Sequence, residues 1–175
     1  NIGSLAAVHL RRAGFDGLVL QGRAEKPSYI AMENEKVEIL DAEGLWGSGA
    51  IEAEGKLREM HGRDSGIVII GPAGENLVNY ATIVSQEGRA GGRPGIGAVM
   101  GSKKVKAIVI KGTKSTVADA ADPNGIRTLG MEGYKDVLAK SNYSFWKRQG
   151  TMSTIEWSQT NSVLPCCNFR EGVFD

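Results

Sequence analysis

Glu87–Lys104 reads EGRAGGRPGIGAVMGSKK, and the reading of the remaining chain is organised around it. Glycines at 88, 91, 92, 95, 97 and 101 alternate with Arg89 and Arg93, then give way to the apolar Ala98-Val99-Met100 and to Lys103-Lys104. Such a stretch suits phosphate. Glycine lets backbone N–H groups approach an anion, a helix starting near Ile96 would aim its positive end at the ligand, and arginine adds forked hydrogen bonds. The competing reading is a mobile basic loop.

Working outward, Ile67–Ile70 reads as a buried strand, Gly71–Asn76 as a tight turn, Tyr80–Val84 as another strand and Lys106–Gly112 as a further one. Nearer the start, Leu5–Arg12 is helix-like and stops at Gly14, and Gly17–Gly22 is an apolar run bounded by glycines that predicts a buried strand. Pro27–Met32 and Lys36–Leu40 flank Glu33-Asn34-Glu35 as a hairpin with one wet face. Ala50, Ala53, Leu57 and Met60 recur at helical spacing until Gly62. Beyond Thr116 the texture changes: Asp122-Pro123 opens a helix with Ile126, Leu129, Gly133 and Val137 on one face, and Thr151–Thr160 predicts another. Residues 1–116 therefore read as one domain of α+β class and 117–175 as the beginning of a mostly helical one.

The 175 residues are 41% apolar and 23% charged, ordinary usage for a packed domain, and a net charge of +1 supplies no global field for nucleic acid or membrane. No apolar run is long enough to span a bilayer, and the opening on Asn1 without Met reads as a piece of a longer protein. Cys166 and Cys167 make no disulfide framework, which fits a reducing cytoplasm, and they read as partly buried thiols. No Cys/His cluster has metal-ligand spacing, and His9 and His61 sit within helical runs where structural roles suit them. Asp16, Asp41, Asp64 and Glu75 stand at element ends, as caps or in solvent, and Trp146 and Trp157 read as packing residues.

Residues 7–22 can be laid over 98–112 with a one-residue gap, each copy a glycine-containing lead-in, a short helix, an apolar strand and a Gly stop. A duplication would bring two helix openings to a common phosphorylated ligand. Gly95-Ile96-Gly97-Ala98-Val99-Met100-Gly101 misplaces the last glycine of a dinucleotide fingerprint, and Gly101-Ser102-Lys103 inverts the order of a P-loop.

Five blocks carry a family resemblance: Asn1-x-Gly3 ahead of Ala13–Gly17; Gly22-x-Ala24-Glu25-Lys26-Pro27; Asp41-Ala42 with Leu45-Trp46-Gly47; Ile70–Asn76; and Gly88–Lys103. In order and spacing they resemble the N-terminal domain of the tungsten-containing aldehyde:ferredoxin oxidoreductases, and Arg148–Gly150 through Phe174 looks like the start of that family's second domain. The resemblance implies a pseudo-twofold, duplicated β-sheet base domain. It would carry tungsten, or molybdenum, chelated by two pyranopterin dithiolenes, with Mg bridging the pterin phosphates. By position, Asn1 and Gly3 fall on one pterin-contacting loop and Arg89, Ala90, Gly91 and Arg93 on the other. Arg89 would meet a phosphate, and the Asn1 and Ala90 carbonyls the Mg. Gly91, Pro94, Ser4 and Cys166-Cys167 depart from the family's usual residues.

The resemblance further implies a cytoplasmic enzyme that oxidises an aldehyde to a carboxylic acid. Electrons would leave through a [4Fe-4S] cluster, whose ligands lie outside this chain, to ferredoxin or an electron-transfer subunit. The catalytic proton-handling residues also fall outside it, so no catalytic residue is assigned here. The rest of the polypeptide is the first partner, and a homodimer is compatible with the pattern. Two other classes remain: a nucleic-acid-binding module gripping through Arg89–Lys106, though few aromatics accompany those cations, and an NADP domain using Lys111 or Lys114.

Overall fold

The computed structural model describes residues 2–92, 95–117 and 120–174, and the chain divides into two units between Thr116 and Val117. In the first, strands β1 (Ser28–Glu33), β2 (Lys36–Asp41), β3 (Gly66–Ile69), β4 (Ile83–Ser85), β5 (Arg89–Gly91) and β6 (Val105–Lys111) form one open sheet in the order β2-β1-β6-β3-β4-β5. β1 and β6 run parallel, and the other neighbours are antiparallel. Helices α1 (Ala6–Ala13), α2 (Ala50–His61), α3 (Pro72–Glu75) and α4 (Ile96–Ser102) complete the α+β unit.

Strand alternation assigns the two faces. Tyr29, Ile67, Ile69, Ala107 and Val109 pack with Ala53 and Leu57 of α2 on one side, while Ile30, Met32, Ile70 and Ile110 pack with Ala6 and Ala13 of α1 and Met100 of α4 on the other. Covered on both faces, β6 reads as the continuous apolar run VKAIVIK rather than an alternating one. Its single charged interior residue, Lys106, is wholly buried: Nζ donates to Ser48 O at 2.9 Å and pairs with Glu75 of α3. Glu75 Oε2 also accepts the Gly47 N–H at 2.8 Å, so the pair is hydrogen-bonded at both ends.

Several expectations change. Gly17–Gly22 is not a strand: its backbone stays outside the sheet and Val19 is 81% exposed. The loop is instead anchored by Lys103 Nζ on Gly22 O (2.9 Å) and Lys104 Nζ on Glu25 O, and β1, which follows it in the chain, takes the place beside β6. Of the two aligned copies, the first thus retains the helix but not the strand. Gly71–Asn76 contains the one-turn α3, started by Pro72, rather than a bare turn. The third expected strand is displaced to Ile83–Ser85, leaving Tyr80 exposed, because its pairing partner is β5, unrecognised in the sequence. Met60 points to solvent although α2 has the expected bounds. Glu75 is buried, not a solvent-facing cap.

The second unit contains α5 (Pro123–Ala139), α6 (Tyr143–Gln149), a 3-10 turn over Gly150–Thr154 and α7 (Ile155–Thr160). Asp122 caps α5 by accepting the Gly125 N–H at 2.9 Å. Ile126, Leu129 and Val137 remain exposed, as do Trp146 and Trp157. Cys166 is half-buried, Cys167 exposed, and both are free thiols.

Helix α4 seats on bare backbone. A Cβ on Gly97 would lie 2.5 Å from Thr82 O, and one on Gly101 would overlap Gly74 O. Gly97→Ala should therefore cost about 1–3 kcal/mol through overpacking. Gly55→Ala, inside α2 with nothing within 4 Å, should add about 0.5–1 kcal/mol. Denaturation midpoints of the intact protein carrying each change should move in opposite directions.

Candidate functional site

The site begins where α1 meets the sheet. A Cβ on Gly66 would lie 2.5 Å from Ala6 Cα and 2.9 Å from the Leu5 carbonyl carbon, so the helix opening rests directly on β3. Its far end is fastened by buried His9, whose Nδ1 accepts the Gly112 N–H at 3.2 Å, and by Gly14, left-handed at φ 98°. Placed this way, the lead-in Gly3-Ser4 crosses to the end of β4, where Ser4 Oγ meets Ser85 Oγ at 2.7 Å.

On the other side, β4 and β5 form a short hairpin with Ser85 opposite Arg89, Val84 opposite Ala90 and Ile83 opposite Gly91. Its turn places Gln86 and Glu87 at φ 45° and 60°, a strained region for residues bearing a Cβ. Glu54 of α2 holds it. This fully buried carboxylate takes both Nη2 (2.7 Å) and Nε (3.2 Å) of Arg58 on Oε1 and the Glu87 N–H on Oε2 at 2.9 Å. From the hairpin, the exposed Arg89 extends back to Gly3: a Cβ on Gly3 would lie 3.1 Å from Nη1.

The structure thus brings together Gly3 and Arg89, far apart in the sequence of the first unit, with Ala90 and Gly91 following on β5. Asn1 and Arg93 lie outside the described residues. Among the described residues Arg89 forms no ion pair with a carboxylate, so its guanidinium can face an anion. The groups whose ionisation is shifted lie elsewhere. Asp41 is held below the usual carboxylate range by its hydrogen bond from Lys26, and Tyr29 is pushed up by burial.

One part of the phosphate reading is corrected. The opening of α4 is not available to an anion, because Ile96 N–H bonds Gly92 O (3.3 Å), Gly97 N–H bonds Ala81 O (2.9 Å) and Ala98 N–H bonds Gly95 O (3.0 Å). Glycines 97 and 101 serve close packing instead. The cations after α4 are likewise engaged: Lys103 and Lys104 hold loop carbonyls, Lys106 pairs with Glu75 and Lys114 with Glu35. Ser4, Ser85 and Glu54 escaped sequence reasoning. For Glu54 a signal existed, since it stands four residues after Ala50 and three before Leu57, on the apolar face of α2.

The model for "Aldehyde ferredoxin oxidoreductase, N-terminal domain" matches residues 1–112. The chain belongs to the aldehyde ferredoxin oxidoreductase family. It is 37% identical over 179 residues to a tungsten-containing aldehyde ferredoxin oxidoreductase of Pyrococcus furiosus, an alignment covering 99% of this chain and 29% of that protein. The counterpart of Thermococcus kodakarensis is 38% identical over 100% of this chain and 29% of its own length. An aliphatic sulfonate oxidoreductase, WOR-like subunit, of Pyrococcus furiosus is 32% identical over 83% of this chain and 25% of its own. Among solved structures, the active site complex BamBC of benzoyl coenzyme A reductase with 1,5 dienoyl-CoA superposes with a TM-score of 0.72 at 37% identity. That match covers 78% of this chain and 20% of the other. The chain spans 29% of the length of the aldehyde ferredoxin oxidoreductases it matches.

Glu54→Leu should leave the Glu87 N–H and Arg58 without their acceptor. A hydrogen bond to a charged group contributes roughly 1.5–3 kcal/mol, so hydrogen exchange over 85–91 should speed at least about tenfold. Exchange in β6 should stay at the wild-type rate, which peptide-level mass spectrometry would read.

Proposed function

We propose that this chain is the cofactor-holding part of a tungsten, or molybdenum, bis-pyranopterin oxidoreductase. Gly3 and Arg89 contact the cofactor's phosphates from two sides. The observation that carries the reading is their meeting: a loop with no Cβ lies against an exposed guanidinium that has no carboxylate partner among the described residues. The residues fit the group. An arginine fork matches phosphate geometry, glycine leaves the backbone approachable, and Ala90 and Gly91 continue the edge as a strand with small side chains. Asn1 and Arg93 belong to the same proposal, and the Asn1 and Ala90 carbonyls would supply hard oxygen ligands of the kind that suit Mg.

When bound, the metal–pterin group supplies the two-electron chemistry; this chain's residues bind and orient it. In the intact protein we assign oxidation of an aldehyde to a carboxylic acid, with electrons passing through a [4Fe-4S] cluster to ferredoxin or an electron-transfer subunit. The 37% and 38% identity, over nearly the whole chain, to two proteins named aldehyde ferredoxin oxidoreductase supports this. The exposed apolar face of α5 supports packing against further polypeptide. A second reading, reduction of an aromatic coenzyme A thioester, is favoured by the 37% identity to the benzoyl coenzyme A reductase complex. A nucleic-acid module and an NADP domain lose support because Lys103, Lys104, Lys106 and Lys114 already hold protein partners. No helix among the described residues is long and apolar enough to cross a membrane, and we place the protein in the cytoplasm.

Arg89→Ala in the full-length protein should reduce bound tungsten and pterin together by about tenfold or more, the scale of losing charge-assisted hydrogen bonds. Elemental analysis and pterin fluorescence read the two independently. Unchanged stoichiometry would remove the phosphate role. Assaying the loaded protein with aldehydes and with aryl thioesters separates the two reactions.

A further inference from the structure

Ser4 and Ser85 occupy the two sides of the proposed phosphate site: Ser4 follows Gly3, and Ser85 is the cross-strand partner of Arg89. Their hydrogen bonds have only one consistent direction. Ser85 is fully buried and its hydroxyl donates to Ile67 O of β3, a carbonyl that can only accept. With that proton committed, the 2.7 Å contact to Ser4 requires Ser4 to donate and Ser85 Oγ to accept. Ser4 Oγ in turn accepts the Ala6 N–H at 2.9 Å, at the start of α1. The relay therefore runs Ala6 N–H to Ser4, Ser4 to Ser85, Ser85 to Ile67.

Two consequences follow from the proton count. Neither hydroxyl has a proton left for a phosphate, so neither is a ligand. And the relay joins three separate pieces of backbone: the N-terminal loop, the end of β4 and the middle of β3. Because Gly3 precedes Ser4 and Arg89 is the cross-strand partner of Ser85, this link fixes how the two meet.

We propose that Ser4 and Ser85 are positioning residues, a polar clasp that sets the spacing of Gly3 and Arg89 so that the anionic ligand meets a preformed site. This rests on the phosphate reading above. Preorganisation of this kind acts on ligand retention, since ordering done by the clasp is not charged to binding.

The test uses full-length protein purified with its cofactor, following tungsten and pterin release over time together with the thermal midpoint. Ser4→Ala removes two hydrogen bonds, the one to Ser85 and the one from the Ala6 N–H, and should release both roughly five- to tenfold faster, within the scale of one to two neutral hydrogen bonds, with the midpoint lowered only slightly. Ser4→Thr, which keeps the hydroxyl as donor and acceptor, should retain the wild-type rate, and Ser4→Ala should speed release less in a Ser85→Ala background than in the wild type, since only the Ala6 N–H bond is then left to lose. Should Ser85→Ala fail to fold, the Ala/Thr comparison at position 4 decides alone. Wild-type release from Ser4→Ala, or failure of Thr to rescue, overturns the clasp. Arg89→Ala in the same assay separates the two ideas: loss there with normal Ser4→Ala removes the clasp only, and retention in both removes the phosphate site as well.

Discussion

A missing side chain at Gly66 governs the first unit. The opening of α1 lies against the β3 backbone so closely that a Cβ would be 2.5 Å from Ala6 Cα. The Gly3 side of the candidate site inherits that contact. With α1 seated there and tied at its other end by His9 to Gly112, the residues ahead of the helix cross β3 and reach the β4–β5 hairpin. Any larger residue would lift the helix, and Gly3 would lose its place beside Arg89.

The hairpin on the opposite side is held by different means. Its turn is strained at Gln86 and Glu87, too short to stabilise itself, and depends on a carboxylate sent from α2. Burying a charge is costly unless it is paired and hydrogen-bonded, and Glu54 is both. The Lys106–Glu75 pair follows the same logic where β6 passes beneath α3. Buried polar groups therefore position backbone on both sides of the sheet, while the glycines of the central stretch do two jobs: those at 95, 97 and 101 admit close packing, and Gly88 leaves the turn before Arg89 uncrowded.

Much of this was legible in the sequence. The β1–β2 hairpin, α2 and its Gly62 stop, α4 and β6 follow from periodicity and turn chemistry, because there local pattern and burial agree. Glycine-bounded Leu18-Val19-Leu20 looked identical to a buried strand, yet the place beside β6 goes to β1, a competition no local pattern records. The availability of the α4 amides was equally hidden, since their acceptors at Ala81, Gly92 and Gly95 are set by tertiary approach. Of the proposed site residues, Arg89 was named from the glycine–arginine stretch and Gly3, Ala90 and Gly91 through blocks of family likeness, whereas Ser4–Ser85 depends on a contact between residues 81 positions apart.

The central claim is that one anionic cofactor is gripped from both sides, by the loop at Gly3 and the hairpin at Arg89. A crystal structure of the full-length protein isolated with its cofactor tests it most directly. We predict a pterin phosphate within hydrogen-bonding distance of the Arg89 guanidinium, with the Gly3 backbone on the same ligand. Cofactor density that leaves Arg89 in solvent, or that meets Gly3 and Arg89 through unconnected groups, would contradict the account.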